Sequence, residues 1–289
     1  MRIAITGHEG YLGSLVFRLL SDYHPKGYDI LNDITKKPNQ LDICHNTDVI
    51  INLAALSGIK ACDDNEVLAM ETNCTANIDL CKMAKKFKVK RFIFSSTSAV
   101  YGEVEQPLMD ELHPTNPRNI YGKTKLWAES ILKYADNKFE VIILRQSNLY
   151  GMGIKCKGIT VIDKFIESAI NGTAIKISGD GSQLRDFAHV MDVANLHKKL
   201  ALAKKVRSGI YNVGGGEILS IKTLANLVNE NSKAILGHEV PILFVHSDNG
   251  SLFHNFTYDY SKAKMEFQYA PFFSIDYYIK ERMLAHLRT

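Results

Sequence analysis

Residues 1–20, MRIAITGHEGYLGSLVFRLL, decide the fold. Residues 2–6 read as a short apolar strand, and residues 12–22 carry their apolar side chains at helical spacing. Between them TGHEGYLG sets Gly7, Gly10 and Gly13 three apart. Glycines here let the backbone turn tightly and approach a pyrophosphate, whose charge is met by the unpaired N–H groups opening the helix. A glycine triplet alone is weak evidence; the strand before it and the helix after it supply the context that a dinucleotide loop requires.

Working outward, short apolar runs alternate with helical stretches. Strands are expected at 28–31, 48–54, 91–95 and 140–144, with helices at 71–88 and 118–134, the latter entered through Asn116-Pro117. Strands this apolar, separated by helices, belong to a parallel sheet covered on both faces, a doubly wound α/β fold of Rossmann type. After Gly151 the rhythm loosens. A helix at 161–170, a strand at 175–178, the turn GDGS at 179–182, a helix from Asp192 as N-cap to 204, a strand at 210–213 and a helix from the cap Ser220 to 231 follow. We expect a dinucleotide-binding domain over 1–150 and a smaller substrate lobe over 151–289, with about 186–214 returning to the first domain.

The 289 residues are 46% hydrophobic and 23% charged, the balance of a globular protein and not of a disordered or fibrous one. Thirty-five basic against 31 acidic side chains leave +4, too little to argue for nucleic acid or an anionic membrane. The basic run CKMAKKFKVKR at 81–91 reads as a solvated helix face. No apolar run approaches a spanning helix. The first strand starts at once, leaving no room for a signal peptide. The five cysteines (Cys44, Cys62, Cys74, Cys81, Cys156) contain no Cys-x-x-Cys pair, so neither a disulfide framework nor structural zinc is expected, and a reducing cytoplasm is the simplest home. The histidines form no ligand-spaced pair, and no metal is expected. Tyr101, Tyr150 and Trp127 read as packing residues.

Asp33, at the expected end of the second strand, is placed to accept hydrogen bonds from an adenosine ribose and to repel a 2′-phosphate, which favours NAD. Lys36 and Lys37 lie close enough to pair with that phosphate, and Asn32 competes as the strand-end residue, so NADP stays open. The second chemical signal is YGKTK, which sets Tyr121 and Lys125 four residues apart on one helical face. A phenol of pKa ~10 is a poor base at neutral pH, and a neighbouring cation favours its phenolate. Strand 91–95 runs into SSTSAVYG, which presents the Thr97 hydroxyl at the carboxyl edge of the sheet, where ligands of such folds bind.

Together TGHEGYLG, NLAA at 52–55, FIFSSTSAVYG, YGKTK, LRQSNLYG at 144–151, GDGSQLRDFAHVMDV at 179–193 and YNVGGG at 211–216 resemble the extended short-chain dehydrogenase/reductase family. The nearest likeness is to its NAD-dependent epimerase/dehydratase branch acting on nucleotide sugars. The motifs stand in family order over residues 1 to about 230; the last sixty residues match loosely. The resemblance implies that Tyr121 is the acid/base, Lys125 its activator and ribose ligand, and Thr97 the hydroxyl on the reacting oxygen. It implies that Gly7, Gly10, Tyr11, Leu12 and Gly13 hold the cofactor with Asp33, that Leu53, Ala54 and Ala55 form its wall, and that Ser95 and Ser96 line the nicotinamide pocket. Asn148 and Arg185 match the family's contacts to the sugar-nucleotide phosphate, a task suited to the planar fork of arginine.

Two departures refine this. Where family dehydratases carry an acidic pair after the threonine, and decarboxylases a glutamate at position 99, this chain has Ser98 and Ala99, neither able to serve as that acid or base. In the tail, where members commonly show an arginine before the segment resembling DYSKAK (259–264), this chain offers His254. The resulting expectation is a nucleotide-sugar 4-epimerase: Tyr121 takes the C4 hydroxyl proton as hydride passes to NAD, the 4-keto sugar turns over, and hydride returns to the other face. A 4-keto-sugar reductase or dehydrogenase that releases its cofactor uses the same residues and stays the alternative; a non-catalytic dinucleotide sensor needs none of Thr97, Tyr121 and Lys125. The resemblance also implies a homodimer through helices at about 72–88 and 118–134, with Ile78, Cys81, Met83, Trp127, Ile131 and Leu132 supplying apolar surface.

Overall fold

A computed structural model of the chain describes residues 1–29, 33–102, 108–135, 139–154, 160–246 and 257–288. Among these residues the strands are β1 (Ile3–Thr6), β2 (Lys26–Tyr28), β3 (Val49–Asn52), β4 (Arg91–Thr97), β5 (Glu140–Gln146), β6 (Asn148–Tyr150), β7 (Ile175–Ser178), β8 (Leu184–His189), β9 (Gly209–Val213), β10 (Glu217–Ser220) and β11 (Ile242–Val245). The helices are α1 (Tyr11–Leu19), α2 (Lys37–Cys44), α3 (Ile59–Asp64), α4 (Glu66–Met70), α5 (Ala76–Lys86), α6 (Ile120–Lys133), α7 (Val161–Ile170), α8 (Val190–Leu202), α9 (Ile221–Leu236), α10 (Ser261–Phe267) and α11 (Ile275–Leu287).

Six strands pair in the order β2-β1-β3-β4-β5-β9, every pair parallel, which makes the doubly wound sheet. Alternation along each strand feeds two cores. Ile3, Ile5, Ile51, Ile93, Ile142 and Leu144 pack on one face with α1, α8 and α10. Ala4, Ile50, Phe92, Phe94, Val141 and Ile143 pack on the other with α2, α5 and α6. The order reverses between β1 and β3, and the crevice at such a reversal, beyond the carboxyl ends of the strands, is where these sheets bind ligands. A third core joins α7, α9 and α11 over the strand trio β10-β8-β6 and the pair β11-β7. Residues 190–213 return to the central sheet, α8 lying against α1 and β9 pairing with β5.

Several element ends differ from the sequence reading. β2 lies at Lys26–Tyr28 instead of 28–31, of which residues 30 and 31, like 32, fall outside the described set. The helix expected over 71–88 starts at Glu66 and is broken by a π turn, Glu71–Thr75, before α5. Such turns recur at functional sites. Asp192 does not cap α8; the His189 ring accepts from Met191 N at 3.2 Å, and the Asp192 carboxylate instead accepts from the N–H groups of Phe272 and Phe273 at 3.0 and 3.2 Å. Ser220 does cap α9, which runs past 231 to Gly237, where φ of +80° ends it in the left-handed geometry that favours glycine. Among the described residues no helix is long and apolar enough to cross a membrane. Cys44, Cys62, Cys74 and Cys81 are buried free thiols, and Cys156 lies outside the described residues.

Ile93, fully buried at the centre of the sheet, should cost about 2–5 kcal/mol when cut to alanine. Ile218→Ala, on a side chain that is 40% exposed, should cost below about 1 kcal/mol. Urea unfolding of the two variants checks the contrast.

Candidate active site

The glycine loop leaves β1 and enters α1 with no acidic residue in the helix's first turn and no side-chain cap at Gly10. Its backbone is held by Gly7 N donating to Tyr28 O at 2.7 Å. A Cβ on Gly13 would stand 1.8 Å from the Gly7 carbonyl, and one on Gly7, whose φ is +69°, would stand 2.8 Å from Ala54 N. Strand, loop and helix are therefore packed as closely as glycine allows, and the first N–H groups of α1 open toward the crevice. That cradle fits a pyrophosphate. Leu12 packs into the core, and the Tyr11 hydroxyl donates to Gly151 O at 2.7 Å, tying the loop to the start of the second lobe. Leu53 N donates to Thr6 O at 3.2 Å and Ala54 N to Thr6 Oγ1 at 3.2 Å, which sets Leu53, Ala54 and the half-buried Ala55 beside the loop.

Asp33 does not stand at the end of the second strand, as the sequence led us to expect. Asp33 lies five residues past the end of β2, where its two oxygens accept from Thr35 N and Thr35 Oγ1, each at 2.8 Å. It is the residue of a local turn. Asp29, which directly follows β2, accepts from Glu9 N inside the glycine loop at 2.7 Å. Asp29, and not Asp33, is therefore the carboxylate at the end of β2.

At the other side of the crevice α6 is drawn against the end of β4. Asn119 caps the helix through Gly122 N at 2.8 Å, and a Cβ on Gly122 would meet the Ala99 carbonyl at 2.5 Å, so only glycine admits the helix this near the turn after β4. The Lys125 ammonium donates to Ser95 O at 2.9 Å and lies over the Phe94 ring. Burial pulls its pKa down to about 8, with the Cys62 thiol and the Glu129 carboxylate opposing. Burial pushes the half-buried Tyr121 phenol up to about 12, opposed by a hydrogen bond with Thr97. Tyr121 and Thr97 are therefore hydrogen-bonded to each other, and Lys125, four residues on along α6, is anchored two residues before Thr97 on β4. Thr97 Oγ1 also accepts from Ala99 N at 3.2 Å, which fixes the turn Ser98–Val100.

The hydroxyls of Ser95 and Ser96 both have partners within the protein. Ser95 Oγ meets His197 Nε2 at 3.0 Å and Gln146 Nε2 at 2.9 Å, and Ser96 Oγ donates to Glu129 at 2.5 Å, both inside the protein. An asparagine chain that the sequence reading missed runs beneath the site. Thr6 Oγ1 donates to Asn52, Asn52 to Asn77, Asn77 to the Asn73 carbonyl, and Asn73 to Thr124 Oγ1 at 3.2 Å. It connects the cofactor-side strand to the helical turn between Tyr121 and Lys125.

Thr97 pairs in register with Gln146, and two residues further on Asn148 enters a cleft of about 920 Å³ between α7, β7 and β8. Arg185 lines the same cleft together with Lys164 and Lys176, and burial draws its pKa down to about 10. Next to it on β8, Asp186 accepts from Gly215 N at 2.7 Å, and Asp180 accepts from Ser182 N at 2.9 Å. Asn148 donates to Asp186 O at 3.2 Å. His254 lies outside the described residues; the segment at 259–264 leads into α10 on the first core.

The model of the NAD-dependent epimerase/dehydratase family matches residues 3–214. A UDP-glucose 4-epimerase of Halalkalibacterium halodurans is 30% identical over 280 residues, covering 83% of this chain and 82% of that protein. A UDP-glucuronate 4-epimerase of Thermodesulfobacterium geofontis is 28% identical over 246 residues, covering 74% and 75%. The crystal structure of a UDP-glucuronic acid 4-epimerase from Bacillus cereus, in complex with UDP-glucuronic acid and NAD, superposes with a TM-score of 0.84 at 24% identity over 99% of this chain and 100% of that one, a likeness of fold.

The two aspartates make opposite predictions. Asp29→Ala should weaken NAD binding about tenfold or more, the loss expected for charge-assisted hydrogen bonds, and narrow the preference over NADP. Asp33→Ala should leave NAD affinity within about twofold. Calorimetric titration of each variant with both dinucleotides checks the assignment.

Proposed function

The chain belongs to the NAD-dependent epimerase/dehydratase family, and on that footing we propose that it inverts C4 of a nucleotide-diphosphate sugar. The observation that carries the reading is Tyr121 hydrogen-bonded to Thr97 with Lys125 fixed behind them, in a site whose next two side chains, Ser98 and Ala99, bring no carboxylate. Dehydration and decarboxylation need an acid or base there, and C4 inversion does not. NAD, when bound across the glycine cradle, supplies the acceptor and donor of hydride for C4. Tyr121 takes the proton of the C4 hydroxyl and returns it. Thr97 holds the C4 oxygen beside the phenol, and Lys125 favours the phenolate and holds the nicotinamide ribose.

The phosphates lie along the path from Thr97 through Asn148 into the cleft, where Arg185, Lys164 and Lys176 supply cationic donors. The names of the relatives support a UDP-hexose or its C6 acid as substrate. Asp29 at the end of β2 supports NAD over NADP. In this reading residues 1–150 carry the cofactor and the lobe built from residues beyond 151 carries the nucleotide.

A homodimer is part of the same proposal. Leu80, Cys81, Ala84, Ala128 and Leu132 face the sheet and cannot serve an interface. On the outer side Val67 is 73% exposed, Leu68 47% and Trp127 44%, with Ile78 and Ile131 half-buried beside them. An apolar patch on adjacent helices suits a two-fold, self-complementary contact. Trp127, read from the sequence as a packing residue, belongs to this patch. A cytoplasmic location accords with the four described free thiols.

Incubation with UDP-glucose, UDP-glucuronate or UDP-N-acetylglucosamine, followed by proton NMR, should show the C4 epimer forming without added reductant. Tyr121→Phe should keep NAD and lose at least ~10²-fold in turnover. Near-normal turnover would remove Tyr121 from the chemistry, and consumption of added NADH with each turnover would favour a keto-reductase. Ile131→Glu should shift the mass measured by light scattering from dimer to monomer; a monomeric unmutated protein defeats the dimer.

A further inference from the structure

Tyr121, Lys125 and Glu129 follow one another at intervals of four, so they share one face of α6. Glu129 is 1% exposed and its partner Arg145, on β5, 3% exposed. The guanidinium donates through Nε to both carboxylate oxygens, at 3.1 and 3.2 Å, and through Nη2 at 2.7 Å. Ser96 Oγ, on β4 between Ser95 and Thr97, donates to the same carboxylate at 2.5 Å. Arg145 in turn lies over the Tyr101 ring, whose hydroxyl donates to Asn212 Oδ1 at 2.6 Å on β9. Two buried charges therefore sit one helical turn behind the acid/base pair, linked to three strands.

Removing two charges from water is costly, and an apolar pair of similar volume commonly holds a helix at least as well. Stability alone does not call for this arrangement. We propose that Glu129, held by Arg145, is a positioning residue for Tyr121 and Lys125: it locks α6 against the ends of β4 and β5, and its charge cancels that of Arg145 at the site. The inference rests on the acid/base reading of Tyr121 and Lys125. The groups facing Lys125 are Cys62 from α3, the Phe94 ring and Ser95 carbonyl from β4, and Glu129 on its own helix. Those facing Tyr121 are Thr97 and Cys62. Arg145 is the cation nearest to Glu129, and it does not give up its proton.

Glu129→Gln preserves shape and leaves the Arg145 charge uncompensated. The ascending limb of kcat/KM against pH, which reports deprotonation of the Tyr121–Lys125 pair, should then move toward acid by about one pH unit. Glu129→Gln combined with Arg145→Gln should restore it. Glu129→Asp, which keeps the charge and shortens the reach, should lower kcat with the limb in place, and it serves if the first variant fails to fold. Ultraviolet titration of each NAD-loaded variant against the same variant carrying Tyr121→Phe reads the phenol directly, without turnover, and should show the same shifts. A limb and a phenol titration that stay fixed in Glu129→Gln, or a Glu129→Asp enzyme with unchanged kcat, overturn the proposal. An active Tyr121→Phe enzyme would instead overturn the acid/base reading, and the two failures are thereby separate.

Discussion

The bond from the Lys125 ammonium to the Ser95 carbonyl is the contact on which the site depends. A lysine nearly excluded from water is unfavourable unless its donors are used, and here one meets a main-chain oxygen at the end of β4 while a ring covers its flank. The carbonyl is available because β4 runs on past the apolar run 91–95 to Thr97, in register with β5 throughout. The same bond fixes the height of α6 above the sheet edge, and so decides that Tyr121 arrives beside Thr97.

Around this bond the protein interior is unusually polar. Ser96, Glu129 and Arg145 lie on one side, the asparagine chain from Asn52 to Asn73 on another, and Ser95 with His197 and Gln146 on the far face of the sheet. Polar groups buried at such density are tolerable only when paired, and when paired they allow few alternative arrangements. The π turn at Glu71–Thr75 belongs to this layer. It brings Asn73 to where its amide spans Leu56 N at 2.9 Å, Leu56 O at 3.0 Å and Thr124. The segment after β3 and the helix α6 are therefore joined in one hydrogen-bonded unit.

Several of the links between the second lobe and this unit lie beside the site. β5 passes into β6 within two residues, carrying the path from Thr97 to Asn148. Tyr11 reaches from the glycine loop to Gly151, and Ser14 accepts from Ile154 N at 3.3 Å. The glycine loop, the sheet edge at Thr97 and the cleft at Asn148 are thus connected by short covalent and hydrogen-bonded links.

Much of this was legible in the sequence because its signals are local. Glycines three apart between a strand and a helix, a tyrosine and lysine one turn apart, and apolar runs in alternation are written within contiguous residues, and the backbone's periodicity turns each into geometry without reference to the rest of the chain. They carried the doubly wound sheet, the close-packed glycine turn and the placement of Tyr121 and Lys125 one turn apart on α6. Other features depended on residues far apart in sequence. The end of β2 is set by pairing with β1, where Gly7 N reaches Tyr28 O, and that pairing gives the loop carboxylate to Asp29 and leaves Asp33 to its own turn. Which way Ser95 and Ser96 point is fixed by partners more than thirty residues distant, and the cap of α8 falls to His189 because residues 272 and 273 claim Asp192. The tertiary structure decided these because a side chain's direction and a strand's end are settled by hydrogen bonds that no local pattern can count.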